Sequence, residues 1–335
     1  MARELVRVVI PAMVEPASPE IESSEFEIPA IDVLGLGAVA VDDLIYVESY
    51  PPADAKTAVL RTDRQCGGLS ATALVAAARL GARAAYAGQL GSDELSRFVI
   101  DRMTAENVSL SQLRRVDGAR PLHSFIVVDS QRQTRNIFCD HNGALGAAED
   151  WPPNKIVQSA RVLFVDHFGV PGMIRAARLA RAAGRPVVGD LERESEPRFS
   201  ELLELVDHLI VSEPFAKEFT GKESAAESVL ALWNSDRALV AVTCGAEGCW
   251  FCSREAPQPI HQPAFRVSVV DTTGCGDVFH GAYAAALAWG MEARARIRFA
   301  TAAAGLKATQ RGGQLGIPRK PDVEKFLAAH PLGQE

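Results

Sequence analysis

Twelve residues in the C-terminal third of the chain carry the strongest signal of its fold: Asp271-Thr272-Thr273-Gly274-Cys275-Gly276-Asp277-Val278-Phe279-His280-Gly281-Ala282. They follow an apolar run at 265–270 that is typical of a β-strand, and they lead into a small-residue segment at 283–289 that is typical of a helix. Gly274 and Gly276 allow a tight turn in which successive N–H groups at a helix start point at one anion. An ordinary glycine-rich turn with Asp277 as a first-turn acid is the alternative interpretation.

Asp277 gives this turn a chemical role. A carboxylate in the first helical turn gains from the helix dipole, but it repels an anion bound nearby unless it has a function there. Accepting the proton of a hydroxyl that attacks a phosphoryl group is such a function. The residues therefore predict phosphoryl transfer, with Asp277 as the base and the amides of Gly274, Cys275 and Gly276 as the anion site.

The pattern of the remaining chain predicts an α/β fold. From about residue 160, short and uniformly apolar segments alternate with helical segments, which indicates a parallel sheet covered by helices on both faces. The segments at 43–65 and 120–140 fall outside this alternation and predict a small β-strand lid. We expect one folded unit at 30–335, preceded by a flexible extension at 1–29 that is rich in Pro, Glu and Ser.

The composition excludes several classes of protein. The chain has 335 residues, of which 47% are apolar, and a net charge of −7, which argues against a nucleic-acid or membrane partner. The six scattered cysteines are typical of a reducing compartment, so we expect a cytoplasmic protein. Cys249 and Cys252 form a C-x-x-C, but in a predicted strand they face opposite sides, which argues against a shared metal.

The stretch at 271–282 resembles the signature of the PfkB (ribokinase-like) carbohydrate kinases, with Cys275 as its one departure, and the general resemblance covers 31–330. It implies a three-layer α/β/α sandwich with a mostly parallel central sheet. It also implies a small-molecule sugar as substrate, with ATP and Mg²⁺ as cofactors and K⁺ as a further candidate. A homodimer formed through the lid strands is a further implication.

The resemblance places sugar-binding residues in the N-terminal half. Asp42 matches a strand aspartate that binds sugar hydroxyls, and Gly67 and Gly68 match a Gly-Gly pattern in which Thr72 replaces the usual Asn. A loop with a helix cap is the alternative interpretation of this segment. Two basic lid positions match Lys56 and Arg135, and arginine offers a planar fork for an oxyanion, although solvated surface charges are the alternative.

A dinucleotide fingerprint is also present in Gly35-Leu36-Gly37-Ala38-Val39-Ala40. A nicotinamide-dependent oxidoreductase requires a helix directly after Gly37. Residues 41–47 instead have the pattern of a strand, and Pro51 and Pro52 end any helix that could follow. The sequence therefore argues against this class of enzyme.

The nucleotide side of the predicted site lies further along the chain. Thr243, Gly245 and Gly248 resemble the family's Thr-x-Gly-x-x-Gly nucleotide loop, for which a plain hairpin turn is the alternative. Together with Ser212, Gly274 and Gly276, these residues are the expected ATP contacts. Ser212 and Phe215 stand where the family has the Asn and Glu that organise Mg²⁺, so Glu213 or Asp190 is the remaining metal candidate. Asp271 and Thr273 are expected to hold the monovalent cation.

Short segments at 67–73, 212–214, 261–267 and 276–282 resemble the sulfofructose kinases within this family. They imply an anionic ketose that is phosphorylated on a primary hydroxyl. Ribose, fructose, ketogluconate and nucleosides are the alternative acceptors. A catalytically silent sugar-binding regulatory protein is the alternative from another class.

Overall fold

The computed structural model describes residues 30–132, 134–143, 146–194 and 196–331, so the predicted extension at 1–29 lies outside the described residues. The strands are β1 Val33–Gly35, β2 Ala40–Val47, β3 Arg61–Gly67, β4 Ala84–Tyr86, β5 Gln89–Leu90, β6 Arg114–Arg115, β7 Leu122–Asp129, β8 Thr134–Asp140, β9 Val162–Val165, β10 Val187–Asp190, β11 His208–Ser212, β12 Leu239–Thr243, β13 Cys249–Ser253 and β14 Ile260–Gln262. The helices are α1 Leu69–Arg79, α2 Glu94–Ala105, α3 Asn154–Ser159, α4 Val170–Ala182, α5 Phe199–Leu205, α6 Glu213–Thr220, α7 Ala225–Leu232, α8 Cys275–Ala288, α9 Ala293–Ala308 and α10 Lys320–Ala329.

An eight-stranded central sheet has the order β14-β13-β12-β11-β10-β9-β1-β4. The six strands from β12 to β4 are parallel to one another, and β13 is antiparallel to β12. The edge strand β14 is antiparallel to β13 and therefore runs in the direction of the six. The parallel strands are short and almost wholly buried, as expected for a sheet that helices cover on both faces. The predicted, mostly parallel central sheet is therefore confirmed.

Alternate residues of each strand enter different cores. Phe164 and Ile210 pack towards α1, α8 and α9, whereas Leu163 and Leu209 pack towards α4, α5, α6 and α7. This alternation follows from the two-residue period of a strand, and it produces the three-layer α/β/α sandwich. Cys249 and Cys252 lie in the two different cores, as their spacing on β13 requires.

A second, four-stranded sheet with the order β3-β2-β7-β8 forms the predicted lid. Its strand β2 is parallel to β7 and antiparallel to β3. Within the lid segment predicted at 43–65, the alternating residues 57–62 have the pattern of a strand, but β3 begins only at Arg61. Val59 and Leu60 are 51% and 61% exposed and find no apolar surface to cover, so the chain after Pro51 and Pro52 remains irregular.

The strand predicted at 265–270 is also wrong. This segment is irregular, and Val269 and Val270 are 63% and 53% exposed. The N–H groups of Val270 and Asp271 donate to the Ala308 carbonyl at the end of α9 instead of to a neighbouring strand. The approach to α8 is thus anchored on a helix.

The fingerprint at 35–40 has a structural explanation. A Cβ at Gly37, where φ is 141°, would collide with the carboxylate of Asp166, which accepts the Ala38 N–H at 2.7 Å. The chain then continues as β2, so no helix follows the glycines and no dinucleotide site forms there.

Among the described helices, none has the length and apolar character needed to cross a bilayer.

Candidate active site

The start of α8 presents unpaired amides. Gly274 precedes the helix in the left-handed conformation, with φ of 74°, which glycine adopts without strain. The N–H of Cys275 donates to the Thr272 carbonyl at 3.2 Å. The sequence predicted that this amide would be open to an anion, but it is engaged in the turn. Within the described residues, the N–H groups of Gly274, Gly276 and Asp277 have no acceptor. Open amides at a helix start are suited to binding an anion.

Asp271 holds the two loops that flank this site. Its carboxylate accepts the N–H of Thr273 at 2.9 Å and the N–H of Gly312 at 2.9 Å. A Cβ at Gly274 would lie 3.3 Å from the Gly313 carbonyl oxygen, so the loop at 312–313 packs directly against the turn. The geometry of the amides is therefore fixed by Asp271 before any ligand arrives.

The carboxyl group of Asp277 is half-buried one turn into α8. Removal from water raises its pKa well above the usual 3.8, and the negative charges of Asp190 and Glu192 raise it further. The charge of Asp42 on the lid acts in the same direction, and His280 partly opposes the effect. Carboxylates from the lid, the sheet and the helix therefore face one space, with Asp277 among them.

His280 is a site residue that the sequence reasoning did not assign. Its ring is buried, with Nδ1 lying 2.8 Å from the Gly276 carbonyl and 3.4 Å from an Asp190 carboxylate oxygen. Its Nε2 lies 3.1 Å from the Ile210 carbonyl. All of these neighbours are acceptors, so the ring fixes the start of α8 against β10 and β11. In the sequence, only the position of His280 inside the signature at 271–282 could have indicated a role in the site.

The lid contributes Asp42 and Arg135 on one face. Asp42 lies opposite Ser124 on the neighbouring strand, and Arg135 is on the outer strand β8 on the same side of the sheet. Burial raises the pKa of Asp42, while a hydrogen bond from Ser124 and the charge of Arg135 offset this. Arg135 donates to the Thr273 hydroxyl at 2.9 Å, which brings the lid into contact with the approach to α8.

Two glycines fit the lid closely to the core. A Cβ at Gly67 would collide with the Asp42 carboxylate, and a Cβ at Gly68, where φ is 92°, would lie 2.7 Å from the Val39 Cα. Both positions therefore require glycine for packing, whatever ligand they approach. Thr72 is buried one turn into α1, and its hydroxyl accepts from the Gln314 amide at 3.3 Å. Gln314 lies in none of the sequence motifs, so only the fold reveals this contact.

The structure does not bring Lys56 to these residues. It lies in the exposed loop between β2 and β3, and it makes no hydrogen bond or ion pair to any other described residue. Arg64, a further basic residue of β3, pairs with Asp43 at 2.6 Å. Of the basic lid residues named here, Arg135 is the one that contacts the start of the signature.

The predicted nucleotide residues meet at the carboxyl ends of two central strands. Ser212 and Thr243 are direct neighbours in the register of β11 and β12. Gly245 opens a 3-10 turn with φ of 55°. A Cβ at Gly248 would collide with the Gln262 carbonyl, so this glycine is required by the packing of the turn itself.

Glu213 is a poor metal ligand in this arrangement. Its carboxylate pairs with Lys217 on the same helix at 2.9 Å. Within the described residues, no group of three or more His, Cys, Asp or Glu side chains could hold a metal ion. Asp190 and Glu192, whose negative charges act on Asp277, offer the oxygen donors that Mg²⁺ prefers.

Comparison with known proteins agrees with this geometry. The sequence model of the family described as pfkB family carbohydrate kinase matches residues 32–320 of this chain. A ribokinase from Haemophilus influenzae is 28% identical over 301 residues, which cover 87% of this chain and 97% of the ribokinase. Fructokinase-1 from Oryza sativa subsp. japonica is 26% identical over 322 residues, which cover 88% and 97% of the two chains.

The fold has a clear counterpart among solved structures. The structure of Arabidopsis thaliana ribokinase complexed with ribose and ATP superposes with a TM-score of 0.78 at 24% identity, covering 89% of this chain and 98% of the ribokinase. Fold and family together define a phosphotransferase that acts on a sugar hydroxyl. The chain belongs to the pfkB family of carbohydrate kinases.

Proposed function

We propose that this carbohydrate kinase transfers the γ-phosphoryl group of ATP to a primary hydroxyl of a small sugar, with Asp277 as the base. The observation that carries the proposal is the Asp277 carboxylate beside the open amides of Gly274 and Gly276, in a space that also faces Asp42 of the lid. The matching ribokinase structure holds ribose and ATP, which supports the same pair of ligand classes here.

The chemistry follows from this arrangement. Asp42 binds a sugar hydroxyl and orients the ring, while Asp277 accepts the proton of the attacking hydroxyl. The new bond forms between that oxygen and the γ-phosphorus as the bond from phosphorus to the ADP oxygen breaks. The amides at the start of α8 stabilise the charge that collects on the transferred phosphoryl oxygens, without having to reorganise.

Mg²⁺ is the expected cofactor of the nucleotide. Asp190 and Glu192 fit this ion by donor chemistry, whereas Glu213 is engaged by Lys217. Two carboxylates with the phosphates of the nucleotide suit Mg²⁺, which retains several waters and seldom uses a cage made by the protein alone. When bound, the ion neutralises phosphate charge; the residues of this chain position the sugar, the proton acceptor and the phosphates.

An anionic ketose such as sulfofructose is the acceptor class that the lid favours. Arg135 lies on the same lid face as Asp42, and its guanidinium reaches Thr273 at 2.9 Å. A sulfonate or phosphate at the far end of the sugar would replace the Thr273 hydroxyl with a charged partner. Charged hydrogen bonds contribute about 1.5–3 kcal/mol, enough to select an anionic sugar.

A homodimer through the lid is the expected assembly. The lid face opposite Asp42 exposes Phe125 and Phe138, which are paired across β7 and β8 and are 42% and 53% exposed. A second lid packed on this face would bury both rings. Sedimentation of the wild-type protein and of Phe138→Ser tests this assembly, since loss of dimer in the variant alone supports it.

The base is tested by Asp277→Asn. We expect turnover to fall by about two to four decades, the usual contribution of a positioned base. A coupled ADP assay measures the effect, and Asp236→Asn on an exposed loop is the matched control. Near-full turnover of the Asp277 variant would falsify the assignment.

The pH dependence gives a second test. Because the pKa of Asp277 is raised in the fold, kcat/KM should fall with decreasing pH well before an ordinary carboxyl near 3.8 is protonated. The same raised pKa means that ionised Asp277 destabilises the fold above pH 3.8. Asp277→Asn should therefore melt at an equal or higher temperature at pH 7–8, and this gain should vanish below pH 3.8.

The acceptor class is tested by a kinase screen over fructose, sulfofructose, fructose phosphates, ribose, ketogluconate and nucleosides. We expect Arg135→Ala to reduce kcat/KM for the anionic sugars by roughly tenfold to a hundredfold, while neutral sugars change little. Arg132→Ala is the matched control, since Arg132 lies in the same hairpin but pairs with Asp129 at 2.9 Å. An unchanged preference in Arg135→Ala contradicts the proposal for an anionic acceptor.

A further inference from the structure

A lysine is buried behind the anion site. Lys307 stands near the end of α9 with no exposed surface, although a lysine is almost never fully buried without a partner. Its ammonium group donates to the main-chain carbonyl of Asp271 at 2.8 Å. The residue is the one charged side chain in the segment Thr301-Ala302-Ala303-Ala304-Gly305-Leu306-Lys307-Ala308, which otherwise has the composition of a packed helix.

The carbonyl that accepts from Lys307 belongs to the residue that holds the anion site together. The Asp271 carboxylate accepts from Thr273 and Gly312, one on each flanking loop. Lys307 adds a third tie from α9 to the same residue. Its charge also reaches the first residues of α8, because it acts on Cys275 and on Asp277.

Burial of this ammonium is costly, and the surroundings only partly compensate. Removal from water lowers the pKa of Lys307; the negative charge of Asp271 favours its protonated form, and the positive charge of Arg135 opposes it. An apolar side chain of similar length would fill the same space without this cost. A charge at this place is therefore unexplained by packing alone.

The monovalent cation expected at Asp271 and Thr273 does not fit the structure. A K⁺ ion bound to Asp271 would share this residue with the Lys307 ammonium, which already donates to the Asp271 carbonyl. Two unit charges about 4 Å apart repel by roughly 4 kcal/mol in a protein environment near the surface. The residues present thus replace the ion rather than bind it.

We propose that the ammonium group of Lys307 is the resident cation of the anion site, so that turnover does not depend on K⁺. Lys307 is a positioning residue: it holds Asp271 and the flanking loops, and it supplies fixed positive charge behind the amides that face the phosphates. The proposal rests on the proposed phosphoryl transfer. It predicts a response to salts that a purely structural lysine does not have.

The first measurement compares wild-type turnover in KCl, NaCl and tetramethylammonium chloride at equal ionic strength. We expect the three rates to agree within about a factor of two, since a tethered charge needs no ion from solution. Stimulation by KCl well beyond this factor overturns the proposal.

The second measurement uses Lys307→Met, which keeps the length of the side chain and removes the charge, with Lys325→Met on the exposed face of α10 as the matched control. We expect kcat to fall roughly tenfold to a hundredfold with a smaller change in the KM for the sugar, and the control to behave as wild type. Unchanged kcat in Lys307→Met overturns the proposal. The smaller variant Lys307→Ala should regain activity in ammonium or potassium chloride but not in tetramethylammonium chloride, and absence of this rescue also counts against a cation role.

A binding measurement separates this proposal from the proposed function. Calorimetry should show weaker ADP binding to Lys307→Met than to the wild-type protein, with or without a sugar that is phosphorylated. If the wild-type protein phosphorylates no sugar but the ADP affinities differ in this way, the proposed function fails while the role of Lys307 stands. Equal behaviour of the two proteins towards ADP, including no binding to either, overturns the role of Lys307.

Discussion

Helices α8 and α6 both begin near the carboxyl edge of the central sheet, yet their first turns are built in opposite ways. The start of α8 leaves the amides of Gly274, Gly276 and Asp277 without a protein acceptor. The start of α6 is capped by its own chain, because the Ser212 hydroxyl accepts from the Phe215 N–H at 3.5 Å and Pro214 has no N–H to offer. The first turn of α8 therefore has neither the side-chain cap nor the proline that reduce the number of open amides in α6.

The acidic residues in these two turns, Glu213 and Asp277, also differ in whether a positive partner neutralises them. Glu213 pairs with Lys217 one turn later, which ties it to its own helix. Asp277 instead lies among Asp190, Glu192 and Asp42, whose negative charges raise its pKa. A carboxyl group kept without a neutralising ion pair, in a crowd of like charges, is a common arrangement at sites of proton transfer. The contrast supports the proposed chemistry at α8 and a structural role for the start of α6.

Gly276→Ala is the sharpest test of this contrast. An added Cβ meets nothing within 4 Å, so the fold should not be destabilised, but the methyl group would enter the open space beside the amides. We expect kcat/KM for ATP to fall by roughly a hundredfold, a loss similar to that of one oxyanion donor. Steady-state kinetics give kcat/KM for ATP, and thermal melting of the same variant checks that the fold is intact.

The matched control is Gly305→Ala, a helical glycine of α9 whose added Cβ also meets nothing within 4 Å. It should stabilise the protein by about 0.5–1 kcal/mol and leave turnover unchanged. Equal kinetic effects of the two glycine variants would show that the amides of α8 are not a phosphate site.

Ser212→Ala tests the start of α6 and has a smaller expected effect. Loss of the cap should destabilise the protein by about 0.5–2 kcal/mol, at the low end because the hydrogen bond is long. Denaturant unfolding measures this change, and the KM for ATP should stay close to the wild-type value. A large rise in that KM with unchanged stability would make Ser212 a nucleotide contact, as its place in the sequence first indicated.

Glu213→Gln should have the smallest effect of all. It removes an exposed ion pair between residues four apart, which contributes only about 0.3–0.5 kcal/mol. Lys217→Gln breaks the same pair while keeping the carboxylate, so the two variants should behave alike. The Mg²⁺ dependence of turnover separates them: a higher Mg²⁺ requirement in Glu213→Gln alone would restore Glu213 as a metal ligand.

The sequence predicted elements well where one feature of the chain was sufficient. The helical segments predicted from about residue 160 are present as α4 to α7, and the lid segment predicted at 120–140 contains the hairpin of β7 and β8. Each of these regions has either a clear hydrophobic period or a clear turn sequence. The strand predicted at 265–270 failed because its apolar residues have no neighbouring strand, and its N–H groups bind the end of α9 instead. Periodicity describes a segment but not what lies beside it.

The same distinction holds for the candidate site. The turn at 274–277 could be predicted because its chemistry depends on adjacent residues. The sequence predicted Lys56 and Arg135 equally as basic residues that bind the substrate, yet of these two only Arg135 contacts Thr273. A lone lysine within the small-residue end of α9 was a visible signal, but its meaning depended on the carbonyl that it meets.

The sequence by itself determined the class of this protein: the layered α/β architecture, the glycine turn and the acid that follows it. These features follow from the composition and spacing of neighbouring residues, which set local backbone geometry. Only the tertiary structure decided which distant groups share the site, since Lys307 meets Asp271 from 36 residues away and His280 meets Ile210 from 70. Such contacts arise from how the helices pack on the sheet, because packing places side chains side by side regardless of their separation along the chain.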